Sequence, residues 1–493
     1  MGSISIVGLG PGEFGQITIE TLGLLRRGET YLRTSVHPCV EKLESEDVSF
    51  KSFDSLYEEE DRFEVIYRTI AETLAKRAEN HDIVYAVPGN PLFGEKSVTD
   101  LIDICTQRGI GYRIFPAVSF VDVSADTLEF DPVEGLTITD AFALTGDAIR
   151  RQTPDPQTAL LITQVYNAHM ASEVKLALMR VYSDETEIVL LYHAGLLDEA
   201  VVTLPLYELD RQKCDHLTSV YVPADRENTK SLGKLLEIMR ILRSPDGCPW
   251  DKEQDHHSLR TCLIEEAYEA ADAIDQEDYE NLQEELGDLL LQIVFHAQLA
   301  EEEGLFGIED IIDGISEKMI RRHPHVFGDE KAETSAEVLT NWDQIKKTEK
   351  KPRTMAEEMA SVPVSFTALM EAQKIQSKAG GQGFDWDDPL PALEKVREET
   401  AEVHEELIAD GRDEERITDE LGDLLFAAVN TARLAGVQAE EARRGANRKF
   451  IGRYRKMEEL AQNEGKDFSG LSLDEQEKLW DLAKKEEKPA LKS

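Results

Sequence analysis

Arg397-Glu398-Glu399-Thr400-Ala401-Glu402, followed by Glu420-Leu421-Gly422-Asp423-Leu424-Leu425, decides how the C-terminal half of this chain folds, and the pattern occurs twice. The earlier copy reads Glu265-Glu266-Ala267-Tyr268-Glu269 and then Glu285-Leu286-Gly287-Asp288-Leu289-Leu290. Carboxylates three and four apart share one helical face. Each copy therefore brings four or five oxygen donors from two helices toward a single hard cation, and without one the cluster repels itself. Leu286, Leu289, Leu290 and Ile293 form one apolar stripe with Glu285 and Asp288 along its edge, so the acids are expected to border a core. Gly287 and Gly422 each weaken a helix by about 1 kcal/mol relative to alanine, which suggests close approach of another backbone. A single such segment reads as a solvated helix face. Two full copies, each with its upstream E-E-x-x-E, do not.

Outward from these segments, the repeat widens. Trp342 and Lys346 recur as Trp480 and Lys484, and Lys318 and Arg322 as Lys449 and Arg453. The period is that of a domain rather than of a solenoid. The half of the chain after Lys230 is densely charged, poor in β-branched clusters and broken only at Ser244–Pro249, Arg322–Gly328, Pro352–Pro363 and Gly380–Pro391. This predicts all-α, four-helix units at 231–350 and 360–486, with a Lys-rich tail behind. Before Pro223 the chain differs. Short β-branched runs at Ile4–Val7, Ile83–Val87, Ala159–Val165, Glu187–Tyr192 and Ser219–Val222 alternate with helical stretches, the pattern of an α/β domain over 1–222, joined by a linker at 223–230.

The 493 residues exceed one ordinary core. A formal charge of −44 excludes gripping a nucleic-acid backbone or an anionic membrane, since both would repel the chain. A small anion carrying its own divalent cations is the expected partner. The five cysteines form no C-x-x-C pair, no basic-then-apolar leader opens the chain and no long apolar run occurs, so a cytoplasmic protein with reduced thiols is expected.

A carboxylate cage holding Mg²⁺ can activate water and neutralise charge on a phosphoanhydride. The repeated basic residues supply what carboxylates cannot. Lys449 and Arg453, one turn apart, can clamp phosphate oxygens, while Trp480 can stack a base beside Lys484. Taken singly these residues read as surface charge and packing; their recurrence in step with the acidic helices raises them. Register from Asp288 and Asp423 sets Phe295 in the first copy against Asn430 in the second, an amide able to bond a ligand. The second unit is therefore the expected catalyst, and the first is weaker or structural.

Residues 231–486 resemble, in tandem form, the MazG family of nucleoside triphosphate pyrophosphohydrolases. The resemblance rests on Arg243-Ser244-Pro245-Asp246-Gly247-Cys248-Pro249-Trp250-Asp251 and Arg321-Arg322-His323-Pro324-His325-Val326-Phe327 in the first unit. In the second it rests on Gln373-Lys374-Ile375-Gln376, Gly383-Phe384-Asp385-Trp386 and Asn447-Arg448-Lys449-Phe450, with the acidic segments in both. It implies an all-α fold, a homodimer, Mg²⁺, and conversion of nucleoside triphosphate to monophosphate and pyrophosphate. It further implies Glu399, Glu402, Glu420 and Asp423 as metal ligands, matched by Glu266, Glu269, Glu285 and Asp288 in the first copy. Lys449 and Arg453 would serve catalysis, and Glu398, Asn430, Asn447, Trp480 and Lys484 would bind the nucleotide.

At the N-terminus, strand Ser3–Val7 runs into Gly8-Leu9-Gly10-Pro11-Gly12, with a helix expected near Gln16. Glycines at such a turn let a ligand approach the backbone. Together with Pro88-Gly89-Asn90-Pro91-Leu92-Phe93-Gly94, Pro116-Ala117-Val118-Ser119-Phe120 and Leu161-Ile162-Thr163-Gln164, this stretch resembles the tetrapyrrole methylase family, whose two α/β lobes bind S-adenosylmethionine between them. The resemblance implies Pro11, Gly89, Pro91, Leu92, Ser119, Phe120 and Gln164 as the lining for that donor. Three departures stand out: Glu13 for the usual Asp, Asn90 in the usual G-D-P, and Ala117-Val118-Ser119-Phe120 for G-[IV]-S-S. The whole arrangement resembles the YabN-type bifunctional proteins. His37, His81, His169, His193 and His216 lack metal-ligand spacing and read as structural or surface groups. Two other readings stay open: a small-molecule methyltransferase whose helical half only dimerises, and a non-catalytic module whose acidic helices bind a basic partner.

Overall fold

The computed structural model describes residues 2–60, 62–147, 151–349, 354–409 and 411–486. The expected boundary at 350, the Lys-rich tail beyond 486 and the side chain of Lys346 lie outside the described residues. The chain divides into two compact units, Met1–Ile315 and Ser316–Ser493.

In the first unit, Ile83–Val87 is buried at every position, as expected of a central parallel strand covered on both faces. Strands β1 (Ser3–Gly8), β2 (Glu29–Leu32), β3 (Phe50–Ser52), β4 (Ile83–Val87) and β5 (Gly111–Ile114) form a parallel sheet in the order β3-β2-β4-β1-β5. The two-residue strand period divides the core. Ile4, Ile6, Ile83 and Tyr85 pack with Ile70, Leu74 and Leu101 on one face, whereas Val7, Val84 and Ala86 pack with Leu25, Leu32 and Leu43 on the other.

A second sheet contains β6 (Leu136–Asp140), β7 (Ala159–Thr163), β8 (Glu187–Tyr192), β9 (Ala200–Pro205) and β10 (Thr218–Val222) in the order β6-β7-β10-β8-β9. Only the β6/β7 pair is parallel. Helix Ala168–Leu178 lays Met170, Val174 and Leu178 over Leu160, Ile162, Ile188 and Val220. The segment expected as a linker is tied to the same domain: Asp225 donates its backbone N–H to the Pro156 carbonyl at 2.8 Å, and the Gln157 amide donates to the Asn228 carbonyl at 2.9 Å.

The rest is helical. Within the first unit, Leu232–Arg243, Arg260–Gln276 and Tyr279–Glu302 enclose a small core of Met239, Leu259, Val294, Phe295 and Leu299. The second unit carries Ala368–Gly380, Pro389–Ile408, Glu414–Leu434, Ala439–Asn463 and Leu473–Glu486.

Three expectations need correction. Leu286, Leu290 and Ile293 are exposed rather than part of a core, because the buried face of their helix is the one that carries Val294, Phe295 and Leu299. Beyond their own helix turns, Gly287 and Gly422 have no atom of the described residues within 4 Å of where a Cβ would stand, so no other element's backbone approaches them closely here. The first helix starts at Ile19 under a Thr18 cap, while Gln16 ends a single 3₁₀ turn.

What positions the N-terminal cleft is contact between two glycine turns. Gly10 and Gly89 exchange backbone hydrogen bonds at 3.3 and 2.8 Å, both with positive φ, and a Cβ on Gly8 would lie 2.2 Å from the Gly89 carbonyl oxygen. Gly8→Ala is expected to destabilise this domain by about 1–3 kcal/mol through overpacking, measured as faster hydrogen exchange in β1 and β4.

Candidate active site and N-terminal cleft

In the second unit two helices face each other. Pro389–Ile408 starts with Pro389 in its first turn and an Asp388 cap that accepts from the Leu390 N–H, and Glu414–Leu434 starts under Asp413, which accepts from Glu415. Their spacing brings Glu399, Glu420 and Asp423 together, with one oxygen of each within 4.8 Å of the others. Glu399 is buried: one oxygen meets Lys395 Nζ at 2.8 Å, and the other is enclosed without any hydrogen-bond partner. Lys395 also holds Glu398 at 2.9 Å, and the two carboxylates raise its pKa. Glu402 stands outside the converging three. Although it is exposed, partial desolvation, followed by the charge and hydrogen-bonding contact of the Glu399 carboxylate and then the charge of Glu420, raises its carboxyl above the ordinary range.

The first copy repeats the geometry with Glu266, Glu285 and Asp288, again within 4.8 Å. Glu269 lies outside the three but contributes charge. Glu266 is raised by desolvation, then by Asp288, Glu269 and Glu285, and Glu285 by desolvation, then by Glu269 and Asp288.

The copies part company beside the acids. In the second, a cavity of about 750 Å³ is lined by Ile375, Gln376, Phe384, Asp385, Trp386, Lys395, Glu399, Asp423, Phe426, Asn430 and Arg433, among others. Asn430 is therefore where the comparison of copies places it. In the first, Phe295 is buried, the Arg243 guanidinium lies 5.4 Å from its ring centroid, and Arg243 pairs with Glu302 at 2.7 Å. His256 meets His296, Nδ1 to Nδ1 at 2.8 Å with parallel rings.

Lys449, Arg453, Asn447, Trp480 and Lys484 form a separate group. The helices Ala439–Asn463 and Leu473–Glu486 pack through Met457, Ala461, Leu479 and Ala483. This sets the Arg453 guanidinium 5.3 Å over the Trp480 ring, with Phe450 on the same indole. Asn447 accepts from Arg443. None of the five lines the 750 Å³ cavity.

The N-terminal cleft has a volume of about 390 Å³ and collects Pro11, Gly89, Phe120 and Gln164. Pro91, Leu92 and Ser119 do not line it. Ser119 is a buried helix cap paired with Asp122, and the Leu92 side chain is exposed. The departure at Asn90 has a structural use: Nδ2 donates to the Ala117 carbonyl at 2.8 Å and Oδ1 accepts from the Leu92 N–H at 3.0 Å, joining two turns in a way a carboxylate could only half reproduce.

Sequence reasoning missed Thr139, Asp140, Thr163 and Thr218 in the lining, and His193 and His216, which it read as structural or surface groups. His193 adopts φ 51° and is gripped at Nδ1 by Asp198 (2.6 Å) and at Nε2 by Asp215 (2.8 Å), chiefly the latter raising its pKa. Gln16 was missed too. Its Oε1 accepts from the Gly12 and Glu13 N–H groups, and its Nε2 donates to the Gly195 carbonyl at 3.1 Å, strapping the 193–199 loop to the glycine turn. A glutamine four residues past a glycine carried no signal in the sequence. By contrast, burial pushes His37 down to about 4, with its Nε2 on the Gly10 carbonyl.

Comparison with known proteins bears on both regions. The profile of the MazG nucleotide pyrophosphohydrolase domain matches residues 254–327 and 388–457, and that of the tetrapyrrole (corrin/porphyrin) methylases matches residues 3–210. The uncharacterized protein YabN of Bacillus subtilis is 43% identical over 492 residues, 99% of each chain. The nucleoside triphosphate pyrophosphohydrolase of Escherichia coli K12 is 46% identical over 257 residues, 52% of this chain and 98% of that one. The corresponding Thermotoga maritima protein is 44% identical over 251 residues, 51% and 94% of the two chains.

A carboxyl raised on folding favours the protonated fold, so the stability it contributes is fully present below the ordinary carboxyl pKa and lost as pH rises through the shifted one. In chelator-treated protein, Glu402→Gln is accordingly expected to raise the melting temperature of the second unit at pH 7. The gain should disappear near about pH 4, where the wild-type carboxyl is already neutral, as followed by circular dichroism.

Proposed function

The chain belongs to the MazG nucleoside triphosphate pyrophosphohydrolases, in the YabN-type arrangement that puts a tetrapyrrole-methylase domain ahead of two MazG units, and from that membership we propose that its second helical unit hydrolyses nucleoside triphosphates to monophosphate and pyrophosphate. The observation that carries this reading is Glu399. A buried carboxylate oxygen without a partner is unfavourable, and here it sits in a converging all-oxygen set beside a cavity of nucleoside size. Such donors suit Mg²⁺, with Glu399, Glu420 and Asp423 as the residues to hold it. When bound, the ion neutralises charge on the phosphoanhydride and lowers the pKa of water.

The chain's own residues do the rest. Phe384, Trp386 and Phe426 exclude water around the nucleoside. The first unit offers a second metal cage, but Phe295 and Arg243 stand where the second unit has Asn430 and its cavity, so the first is the weaker catalyst. Homodimerisation would cover the exposed Leu421, Leu425 and Phe426. Among the described residues no helix is long and apolar enough to cross a membrane, and cytoplasmic nucleotide-pool housekeeping is the role that fits.

For the N-terminal cleft we propose S-adenosylmethionine as ligand. The paired glycine turns leave Gly89 open where a Cβ would stand, the opening a ligand's close approach requires.

Two measurements test these proposals. Glu399→Gln with Glu402→Gln should lower Mg²⁺-dependent pyrophosphate release by roughly a hundredfold or more, and full activity in that variant would refute the assignment. Calorimetry should detect S-adenosylmethionine binding to wild type and its loss in Gly89→Val; no heat with wild type would remove the donor from this cleft.

A further inference from the structure

Resting on that reading of the second unit, we infer that its cavity reads the nucleobase through side-chain hydrogen-bond donors, chiefly Asn430 Nδ2, and so favours bases with a carbonyl at purine C6 or pyrimidine C4, guanine and uracil, over adenine and cytosine, which carry an amine at that position.

The argument follows the polar groups of the lining one by one. Arg433 donates from Nε and Nη2 to Asn430 Oδ1 at 2.9 and 2.7 Å, and from Nη1 and Nη2 to both oxygens of Asp385 at 2.9 and 2.5 Å. Asp385 in turn accepts from the Trp386 N–H at 2.9 Å. A guanidinium has donors only, so the Asn430 amide cannot reverse without setting N–H against N–H. Its oxygen faces Arg433. Its nitrogen is left at the cavity wall without a partner among the described residues, on a half-buried side chain. Any N–H remaining on Arg433 is again a donor.

The acceptors are out of play. Gln376 donates its amide to the Phe426 carbonyl at 2.8 Å, and its own oxygen is enclosed where solvent does not reach it. Glu399 and Asp423 belong to the carboxylate cage, and Lys395 is held by Glu398 and Glu399. The remaining walls, Phe384, Trp386 and Phe426, offer faces to stack against, and the Trp386 indole N–H adds a further donor and no acceptor. A carbonyl at the tip of the base accepts from Asn430 over a broad arc. An amine there presents donor to donor and leaves a polar group unpaired, the situation that gives hydrogen-bonded sites their selectivity. Arg433 and Asp385 act as positioning residues for the amide.

The test uses full-length protein with Mg²⁺ and the non-hydrolysable α,β-methylene analogues of GTP, UTP, ATP and CTP, binding being followed by calorimetry, alongside pyrophosphate release from the natural triphosphates. Wild type should bind the GTP and UTP analogues about tenfold more tightly than the other two, one hydrogen bond's worth of discrimination. Asn430→Asp keeps the contact with Arg433 but offers an acceptor to the base, and should reverse the order. Arg433→Lys, which retains charge but loses the fork, should reduce the ratio toward one. An unchanged ranking in Asn430→Asp, or no ranking in wild type, overturns the inference and leaves the hydrolase reading intact. Ranked binding without pyrophosphate release overturns the hydrolase reading and leaves the base-reading pocket in place.

Discussion

Mutual repulsion among three carboxylates, held within 4.8 Å of one another between two helices, is the constraint around which the helical half is organised. Folding alone has no use for such a contact, and the carboxyls of Glu266 and Glu285, raised first by desolvation and then by their acidic neighbours, register its unfavourable side. What makes the arrangement tolerable is local. Lys395, one turn before Glu399, neutralises one oxygen and leaves the other enclosed without a partner. Stability is surrendered where these charges are held together, a trade that recurs wherever function requires charges to be preorganised.

The two copies show how much one position beside the same acids can change. Both copies bring three acids together, yet beside them Phe295 is buried against the Arg243 guanidinium in one, while Asn430, fixed by Arg433, lines a cavity in the other. The difference lies at the residue seven positions beyond the aspartate and in the arginine set against it, Arg243 from another helix in one copy and Arg433 from the same helix in the other. The N-terminal domain solves a related problem by removing side chains. Gly8, Gly10 and Gly89 let two strand ends touch, and Gln16 then ties the far loop across them.

Legibility followed the strength of the local signal. β1, β4, β7, β8 and β10 lie where β-branched runs put them, whereas β2, β3, β5, β6 and β9 went unread. Phe50–Ser52 is only three residues long, Glu29–Leu32 is four, and Leu136–Asp140 and Ala200–Pro205 are edge strands with solvated positions and mixed composition. The same holds at the sites. Glu399, Glu420 and Asp423 announced themselves by helical spacing, but Glu402 did not join them, and Lys449, Arg453 and Trp480 gathered on a helix pair of their own. Periodicity reports which face a residue occupies and says nothing about how far that face stands from the next element.

By itself, then, the sequence determined the α/β-then-helical order, the doubled acidic motif and the family, because each is written in short-range pattern that the backbone must obey. Only the tertiary structure decided which three acids converge, that Asn430 lines a cavity, that Leu286, Leu290 and Ile293 beside the acids stay exposed, and that His193 lines the N-terminal cleft while Gln16 braces its loop. Those outcomes depend on packing between segments distant in the chain, where one buried phenylalanine or one fixed amide changes what the same motif can hold.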